Sequence, residues 1–274
     1  MEINYGFDPT KVVIKPEDWK FGSNIPLTVL NEEGQWGRWL PKYEPQAEKY
    51  ETWGCTIWGL QNQVEILMKF LYGFEPNFSE RFNYNIVGIE EGGANPNDGY
   101  QSAKNDGLID QHFLPVPETF IEFKAPRPMT AEFINEGKKF KYLVNHEWVV
   151  PSNPAKMKEL IKETLRYCPV ALSVTAWKLD PVTGLYINNE QLNNHWCVAF
   201  GWRESELGLI LKVFDSYDHS IKELHPEHFV AFAKRISISR KLIETKPKQS
   251  WWTEVRNWWW IDLPIRGFKV LFNL

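Results

Sequence analysis

Cysteine is scarce in this chain of 274 residues. Its three cysteines, Cys55, Cys168 and Cys197, are odd in number and lack the paired spacing of a disulfide framework. We therefore expect three free thiols and a reducing compartment such as the cytoplasm. A chain of this length buries enough apolar surface to hold a core without disulfides or a structural metal.

Long apolar runs and an excess of one charge are missing as well. No apolar run approaches the roughly 18 residues of a membrane span, so we expect no membrane span. The first residues show no basic stretch followed by an apolar core, so we expect no signal peptide. The chain has 31 Lys and Arg against 35 Asp and Glu, a net charge of -4. Nucleic-acid-binding proteins usually carry a basic excess, so we expect no nucleic-acid partner.

The sequence also lacks the usual marks of a phosphate or metal site. The stretch 91–94 contains two glycines but neither the lysine nor the strand–helix context of a phosphate-binding loop. His225 and His228 have a His-x-x-His spacing, yet four clear zinc ligands are not present. A turn that leads into a helix at 226–234 accounts for these residues. We therefore expect no metal and no cofactor.

Helical patterns come early in the chain and strand patterns come late. Apolar residues three and four apart predict a helix that begins at or beside Cys55 and ends before a glycine cap at Gly73. Further helices are predicted around 99–104 and after Pro154. Short apolar, β-branched runs predict strands at 170–177, 196–202, 209–214 and 236–243. This order indicates the α+β fold class.

Cys55 has the position of a nucleophile. A thiol attacks as its thiolate, so the site must lower its pKa through a nearby imidazolium or a helix N-terminus. Cys55 lies at the predicted start of the first helix, where the helix dipole places about half a positive charge. The alternative is that Cys55 is a small buried hydrophobe, as free cysteines often are.

His195 and Asp215 are candidates for the base and its orienting group. His195 stands at the entry to an apolar strand, whereas the other five histidines lie in polar contexts. Asp215 ends a second apolar strand, where its carboxylate could accept a hydrogen bond from the other ring nitrogen of His195. Each residue alone also fits a structural role, as a core histidine or an aspartate that opens a turn.

Several segments, in this order, resemble the papain-like cysteine peptidases. They are Trp53–Trp58 around the cysteine, Phe78–Phe82, Ala94–Pro96 with Tyr100, Tyr167–Leu172, Asn194–His195 and Phe214–Tyr217. His195 follows Cys55 by 140 residues, inside the spacing of about 130–150 typical of papain-type enzymes. Glu44-Pro45-Gln46 is more narrowly similar to papain-like proteins of bacteriophages and viral metagenomes.

The resemblance implies a two-lobed fold, with a helical lobe and an antiparallel β-barrel-like lobe. It covers residues 42–240, which leaves an N-terminal arm at 1–41 and a C-terminal arm at 241–274. The implied reaction is hydrolysis of a peptide or protein substrate through an acyl-enzyme intermediate.

The resemblance also assigns roles to single residues. Cys55 would be the nucleophile, His195 the base and acid, and Asp215 the orienting group. Gln46, the nearest glutamine upstream, would donate to the oxyanion together with the Cys55 backbone N–H. The implied substrate-cleft residues are Gly54, Ala94, Asn95 and Tyr217, of which Tyr217 would shield the base from water.

Departures from the family leave a second function open. Asp215 stands where the family usually has asparagine, Thr56 replaces an aromatic residue, and the family's disulfide partners are absent. The chain has 14 tryptophans, five of them in the arm 241–274, and aromatic clusters often anchor interfaces. The alternative function is a virion-associated or assembly protein that keeps the fold and contacts partners, or itself, through its arms.

Overall fold

The structure is a computed structural model that describes residues 6–23, 25, 27–42, 45–124, 130–141, 143–189 and 193–239. Helices prevail in the first half of the chain and strands in the second. The helices are α1 (Cys55–Tyr72), α2 (Glu80–Val87), α3 (Pro96–Asn105), α4 (Phe120–Lys124), α5 (Ala131–Lys138) and α6 (Met157–Thr164). The strands are β1 (Val144–Trp148), β2 (Val170–Val174), β3 (Lys178–Leu179), β4 (Tyr186–Ile187), β5 (His195–Ser205), β6 (Gly208–Asp215), β7 (Ser220–Leu224) and β8 (Ala233–Ile238). The predicted α+β class is confirmed.

The predicted helices form at three places and fail at a fourth. The helix predicted at 99–104 is part of α3, and Pro154 opens a short 3-10 turn that leads into α6. The helix predicted at 226–234 is wrong, since the chain makes only a turn at Pro226 and then enters β8. Ala233 and Lys234 pair with β2, and these sheet hydrogen bonds outweigh a weak local preference for helix.

Helix α1 is the centre of the fold. It begins at Cys55 and ends at Gly73, which has φ 74° and donates its N–H to the carbonyl of Lys69. The spacing predicts one buried face, but residues 55–68 are all buried. Three polar side chains in this stretch, those of Gln61, Gln63 and Glu65, form hydrogen bonds inside the protein. Gln63, for example, donates to the carbonyls of Pro169 at 2.7 Å and Lys234 at 3.0 Å, which joins the helix to the sheet.

The eight strands form one open sheet. Their order is β1-β8-β2-β5-β6-β7-β4-β3, and every neighbouring pair is antiparallel except β4 with β7. The prediction of a barrel-like lobe is wrong in this respect, because β1 and β3 do not pair within the described residues. Strands β3 and β4 have two residues each, too few to carry the pairing around a closed barrel.

Described parts of the predicted N-terminal arm lie along the sheet. Phe21 donates its N–H to the Trp148 carbonyl at 2.7 Å, and Trp36 donates its own to the Phe200 carbonyl at 2.6 Å. The Trp36 indole N–H bonds to the Leu165 carbonyl at 2.7 Å. The boundaries at 41 and 240 stay predictions, and the tryptophan-rich arm at 241–274 lies outside the described residues. No helix in the described part of the chain is long and apolar enough to cross a membrane.

A glycine sets the distance between α1 and β5. A Cβ on Gly59 would lie 2.6 Å from Cδ1 of Trp196, the residue after His195. Any side chain larger than hydrogen at 59 would therefore push the helix away from β5. Since Cys55 is one turn before Gly59, this contact brings the start of α1 to the start of β5.

Gly59→Ala should destabilise the protein despite the better helix propensity of alanine. Alanine gains about 1 kcal/mol in an unconstrained helix, whereas overpacking a buried site costs about 1–3 kcal/mol. We expect a lower denaturation midpoint in urea. Gly99→Ala in α3 is the control, because its Cβ would meet only the terminal methyl of Ile57 at 2.9 Å, which can rotate away. Equal midpoints for the two variants would contradict the packing argument.

Candidate active site

Cys55 is the first residue of α1 and is fully buried. The residue two before it, Trp53, has φ 53°, a left-handed conformation that is rare for a bulky residue. The Trp53 N–H donates to Oε1 of Glu51 at 2.7 Å, which helps to hold this turn. The Cys55 sulfur accepts hydrogen bonds from the backbone of Trp196 and Thr56. It therefore meets β5 beside His195.

Burial raises the pKa of the Cys55 thiol well above its ordinary value. Hydrogen bonds from the Trp196 and Thr56 backbone oppose this rise, while the negative charges of Glu51 and Asp215 add to it. The start of α1 alone would lower the thiol pKa, as the sequence position predicts. In this closed structure burial outweighs the helix dipole, and the thiol is neutral at neutral pH.

His195 and Asp215 are in direct contact. His195 Nε2 lies 2.6 Å from Asp215 Oδ1, and both side chains are buried. Strands β5 and β6 pair at Val198 and Phe214, so the same register continued by one residue puts Cys197 opposite Asp215. His195 is two residues from Cys197 and thus on the same face of the sheet. The strand pairing explains how residues 20 apart in sequence come together.

Asp215 is ionised in this contact. Burial by itself would raise the pKa of the carboxyl group, but the charge and hydrogen bond of His195, with those of Lys222, hold that pKa well below its usual range. Asp215 Oδ1 also accepts the Tyr217 N–H at 3.0 Å. The carboxylate is therefore fixed in place and faces the imidazole as an acceptor.

Two aromatic rings stand over His195. The Tyr217 ring centroid is 6.4 Å from the imidazole centroid, with 89° between the ring planes, and its shielding role stays a prediction. The Trp177 ring is closer, at 5.8 Å and 77°. The sequence reasoning does not identify Trp177 as a site residue. The strand pairing explains its position: β2 ends at Val174, which pairs with His195, and Trp177 follows Val174 by three residues, close to the imidazole ring.

Gln46 is buried beside Ser216, the residue that follows Asp215. Its N–H donates to the Ser216 carbonyl at 2.8 Å, and its Oε1 lies 3.5 Å from Ser216 Oγ. Its Nε2 lies 3.5 Å from Glu51 Oε1. Glu51 itself acts electrostatically on Cys55. The Gln46 amide thus lies between Ser216, the residue after Asp215, and Glu51, whose charge acts on Cys55 and which the sequence reasoning missed.

The other predicted cleft residues have different surroundings. Gly54 directly precedes α1, and a Cβ there would lie 2.6 Å from the Trp58 ring. Asn95 caps α3, since its side chain accepts the Asn97 N–H at 2.9 Å. Ala94 is buried, and its N–H donates to the carbonyl of Gly6 at 3.2 Å.

The N-terminal segment 6–11 fills the space between these elements. Gly6 is so close to the turn before Cys55 that a Cβ on it would lie 2.1 Å from the Trp53 carbonyl oxygen. Phe7 forms a parallel bridge with Ala94, and its ring centroid is 5.5 Å from that of Trp196. Lys11 Nζ bonds to the Gly93 carbonyl at 2.9 Å. The segment therefore packs against Trp53, Ala94 and Trp196, next to the start of α1.

A metal site is not visible among the residues that the structure describes, since no group of three or more His, Cys, Asp or Glu is arranged to hold an ion. The three cysteines are free thiols and are all buried. His228, from the His-x-x-His pair, accepts the Thr175 N–H at 3.2 Å through Nε2. Its Nδ1 lies 3.1 Å from the Tyr186 carbonyl, so the ring joins the segment after β2 to strand β4.

The fold is that of the papain-like cysteine proteases. Three solved structures share it: the ragweed pollen allergen Amb a 11 cysteine protease in its proform, procathepsin L 3 of the Tenebrio molitor larval midgut, and a structure described under the antibody cross-reactivity between the mite allergens Blo t 1 and Der p 1. Their TM-scores are 0.57, 0.56 and 0.56, at 14%, 11% and 12% sequence identity. The matches cover 79%, 86% and 84% of this chain and 69%, 76% and 76% of the others.

Sequence comparison adds no closer relationship. No family model matches the chain, and no curated protein matches it. The three named structures are plant, insect and mite proteins. The similarity to bacteriophage proteins, the virion or assembly role and the cytoplasmic location therefore stay predictions.

Phe7→Ala should make Cys55 more accessible. Loss of the ring should loosen segment 6–11 and let water reach the thiol. Water lowers the thiol pKa, and a pKa lower by one raises the thiolate fraction about tenfold. We expect faster alkylation of Cys55 by iodoacetamide at pH 7.5, measured peptide by peptide by mass spectrometry.

Val13→Ala is the control, because Val13 is 57% exposed in the same arm. An unchanged rate at Cys55 would contradict the role of Phe7. So would equal acceleration at Cys168 and Cys197, which would indicate general unfolding.

Proposed function

We propose that this protein is a cysteine peptidase that hydrolyses peptide bonds through Cys55, His195 and Asp215. The observation that carries the proposal is the 2.6 Å contact between His195 Nε2 and Asp215 Oδ1. His195 begins β5, and the backbone of Trp196 on the same strand bonds to the Cys55 sulfur. A nucleophile, a base and a third group that orients the base are what acyl transfer requires. The papain-like fold supports the same reaction class.

The reaction would use both nitrogens of the imidazole. Because Nε2 faces Asp215, Nδ1 is the nitrogen that takes the proton from Cys55. The thiolate attacks the carbonyl carbon of the scissile peptide bond, and the imidazolium then gives its proton to the leaving amine. A water molecule, deprotonated by His195, hydrolyses the acyl-enzyme and releases the thiol. Asp215 stays ionised throughout and stabilises the imidazolium.

The oxyanion of each tetrahedral intermediate would be bound by two donors. The backbone N–H of Cys55 is at the start of α1, where the helix dipole favours negative charge. The Gln46 amide is the second donor. Glu51 Oε1 is 3.5 Å from Gln46 Nε2 in the closed structure, so a substrate carbonyl would replace a carboxylate oxygen near this amide.

Substrate binding would require the cleft to open. Gly6 and Phe7 lie against the turn before Cys55 and against Ala94, where an extended peptide would otherwise bind. Displacement of this segment would also solvate the thiol and remove the main cause of its raised pKa. The closed structure is therefore a form of low activity in this proposal.

Cys55→Ala should abolish peptide cleavage without loss of fold. We expect no hydrolysis of fluorescein-labelled casein and no labelling by an epoxide inhibitor that alkylates activated thiols. Cys168→Ala is the matched control, because Cys168 is also a fully buried free thiol and burial raises its pKa to about 11. Both assays should run in the Phe7→Ala background, where the cleft is looser. Equal cleavage by the Cys55→Ala variant would remove Cys55 from the reaction.

Gln46→Ala should lower kcat by about 100-fold, the usual effect of losing one oxyanion donor. Since the donor acts mainly in the transition state, KM should change little. Gln46→Glu, which keeps the size of the side chain but loses the amide donor, should lower kcat at least as much. A change confined to KM would assign Gln46 to substrate binding instead.

A further inference from the structure

Asp215 has a second partner besides His195. Its Oδ2 accepts a hydrogen bond from Lys222 Nζ at 2.5 Å, while Oδ1 faces the imidazole. The Lys222 side chain is 5% exposed and the Asp215 side chain 1%. A lysine buried to this degree needs a partner of opposite charge. Nothing in the sequence pattern marks Lys222, which follows Asp215 by seven residues.

The β6–β7 hairpin places the two side chains together. Asp215 pairs with Ser220 and Val213 pairs with Lys222, so Lys222 is the diagonal neighbour of Asp215 on the same face of the sheet. The ammonium group also donates to Asp218 at 2.9 Å and to Ser220 Oγ at 2.5 Å. These contacts use all three of its protons. Lys222 is therefore held in one position.

The same ammonium group contacts the aromatic cover of the imidazole. Lys222 Nζ lies 4.9 Å from the centroid of Trp177, whose ring stands over His195. It lies 6.0 Å from the Tyr186 centroid. His195, Asp215, Lys222 and Trp177 thus form one packed unit.

The positive charge of Lys222 offsets part of the effect that the Asp215 carboxylate has on His195. A carboxylate in direct contact with an imidazole stabilises the imidazolium more than a neutral amide would. An imidazolium that is too stable holds its proton when the leaving amine needs it. In a buried site this excess is large, because solvent screens little of it. A cation on the other carboxylate oxygen offsets part of the negative charge that His195 meets.

We propose that Lys222 is a positioning residue that holds Asp215 toward His195 and offsets its charge, so that the ion pair acts on the imidazole as a nearly neutral acceptor. This inference rests on the proposed peptidase function of the same site. The role of Lys222 is exerted through Asp215, since its Nζ contacts the carboxylate on the side away from the imidazole.

Other titratable groups face the same unit and must stay constant in any test. Cys55 and Cys197 each interact electrostatically with Asp215, and Glu51 acts on Cys55. Asp218 and Tyr186 face Lys222. None of these residues is changed in the variants below.

The test uses Lys222→Gln, Asp215→Asn and the double variant, all in the full-length chain. In Lys222→Gln the uncompensated carboxylate should raise the imidazolium pKa, so the acidic limb of the kcat/KM profile, on which His195 loses its proton and becomes able to act as a base, moves to higher pH. In Asp215→Asn the ammonium group loses the carboxylate beside His195 and keeps only the exposed Asp218 as an ionic partner, so the imidazolium pKa should fall and that limb should move to lower pH. The double variant restores a neutral acceptor, so its limb should return toward that of the unmodified protein.

The rates should follow the same non-additive pattern. We expect each single variant to lose about 10- to 100-fold in kcat/KM at neutral pH, and the double variant to recover at least about tenfold relative to Asp215→Asn. Lys222→Arg keeps the positive charge and should keep the original pH profile. If Lys222→Gln does not fold, the double variant and Lys222→Arg still decide the question.

A second readout does not depend on cleavage. The His195 imidazole can be titrated by NMR in each variant, with its signal assigned through His195→Gln. Arg203→Gln is the matched control, because it removes a cation that bonds to the Glu223 carboxylate at 2.7 Å on the neighbouring residue of β7. Glu223 points to the opposite face from Lys222, so this control should leave the titration unchanged.

The outcomes separate the two proposals. If no variant cleaves peptide but His195 titrates with the opposite shifts expected for the two single variants, the peptidase function is overturned and the ion-pair inference stands. If cleavage occurs and the His195 titration is the same in all variants, the inference is overturned. A lower melting temperature in Lys222→Gln without any shift in the titration would assign Lys222 a structural role only, and would also overturn it.

Discussion

The close contact between the start of α1 and the start of β5 is the constraint on which the site depends. Gly59 lets the helix approach Trp196, and the Cys55 sulfur meets the backbone of that residue. His195 precedes Trp196 on the same strand. Cys55 and His195, the proposed nucleophile and base, come from parts of the chain that are far apart, so only this helix–sheet packing can bring them together. Gln63 reinforces it through hydrogen bonds to Pro169 and Lys234.

Around this contact the protein buries several charges. Asp215 lies between His195 and Lys222, and the attraction of these neighbours exceeds the cost of removing the carboxylate from water. The Cys55 thiol is compensated less, because burial and the negative charges of Glu51 and Asp215 outweigh the hydrogen bonds from the Trp196 and Thr56 backbone. The same low-dielectric environment therefore favours an ionised Asp215 and a neutral Cys55. The packing of Gly6 against Trp53 and of Phe7 against Ala94 is part of that environment.

Much of the local structure could be predicted from the sequence, since it follows from local spacing. Helix α1 ends where Gly73 permits a left-handed cap, and β2, β5 and β6 coincide with short apolar runs. The prediction failed at 226–234, where pairing of Ala233 with β2 decides the conformation. It also failed for the closure of the sheet, because the length of the end strands is a property of their pairing rather than of their composition.

Residue type and order by themselves determined that a cysteine begins a helix, that a histidine and an aspartate flank two strands, and that the class is α+β. The tertiary structure alone decided which neighbours these groups have. Lys222, Glu51 and Trp177 belong to the site because strand register and loop packing bring them there, and a sequence pattern carries no record of such distances. Charge and burial act through space, so the protonation of Cys55 and Asp215 could be derived only once the folded surroundings were known.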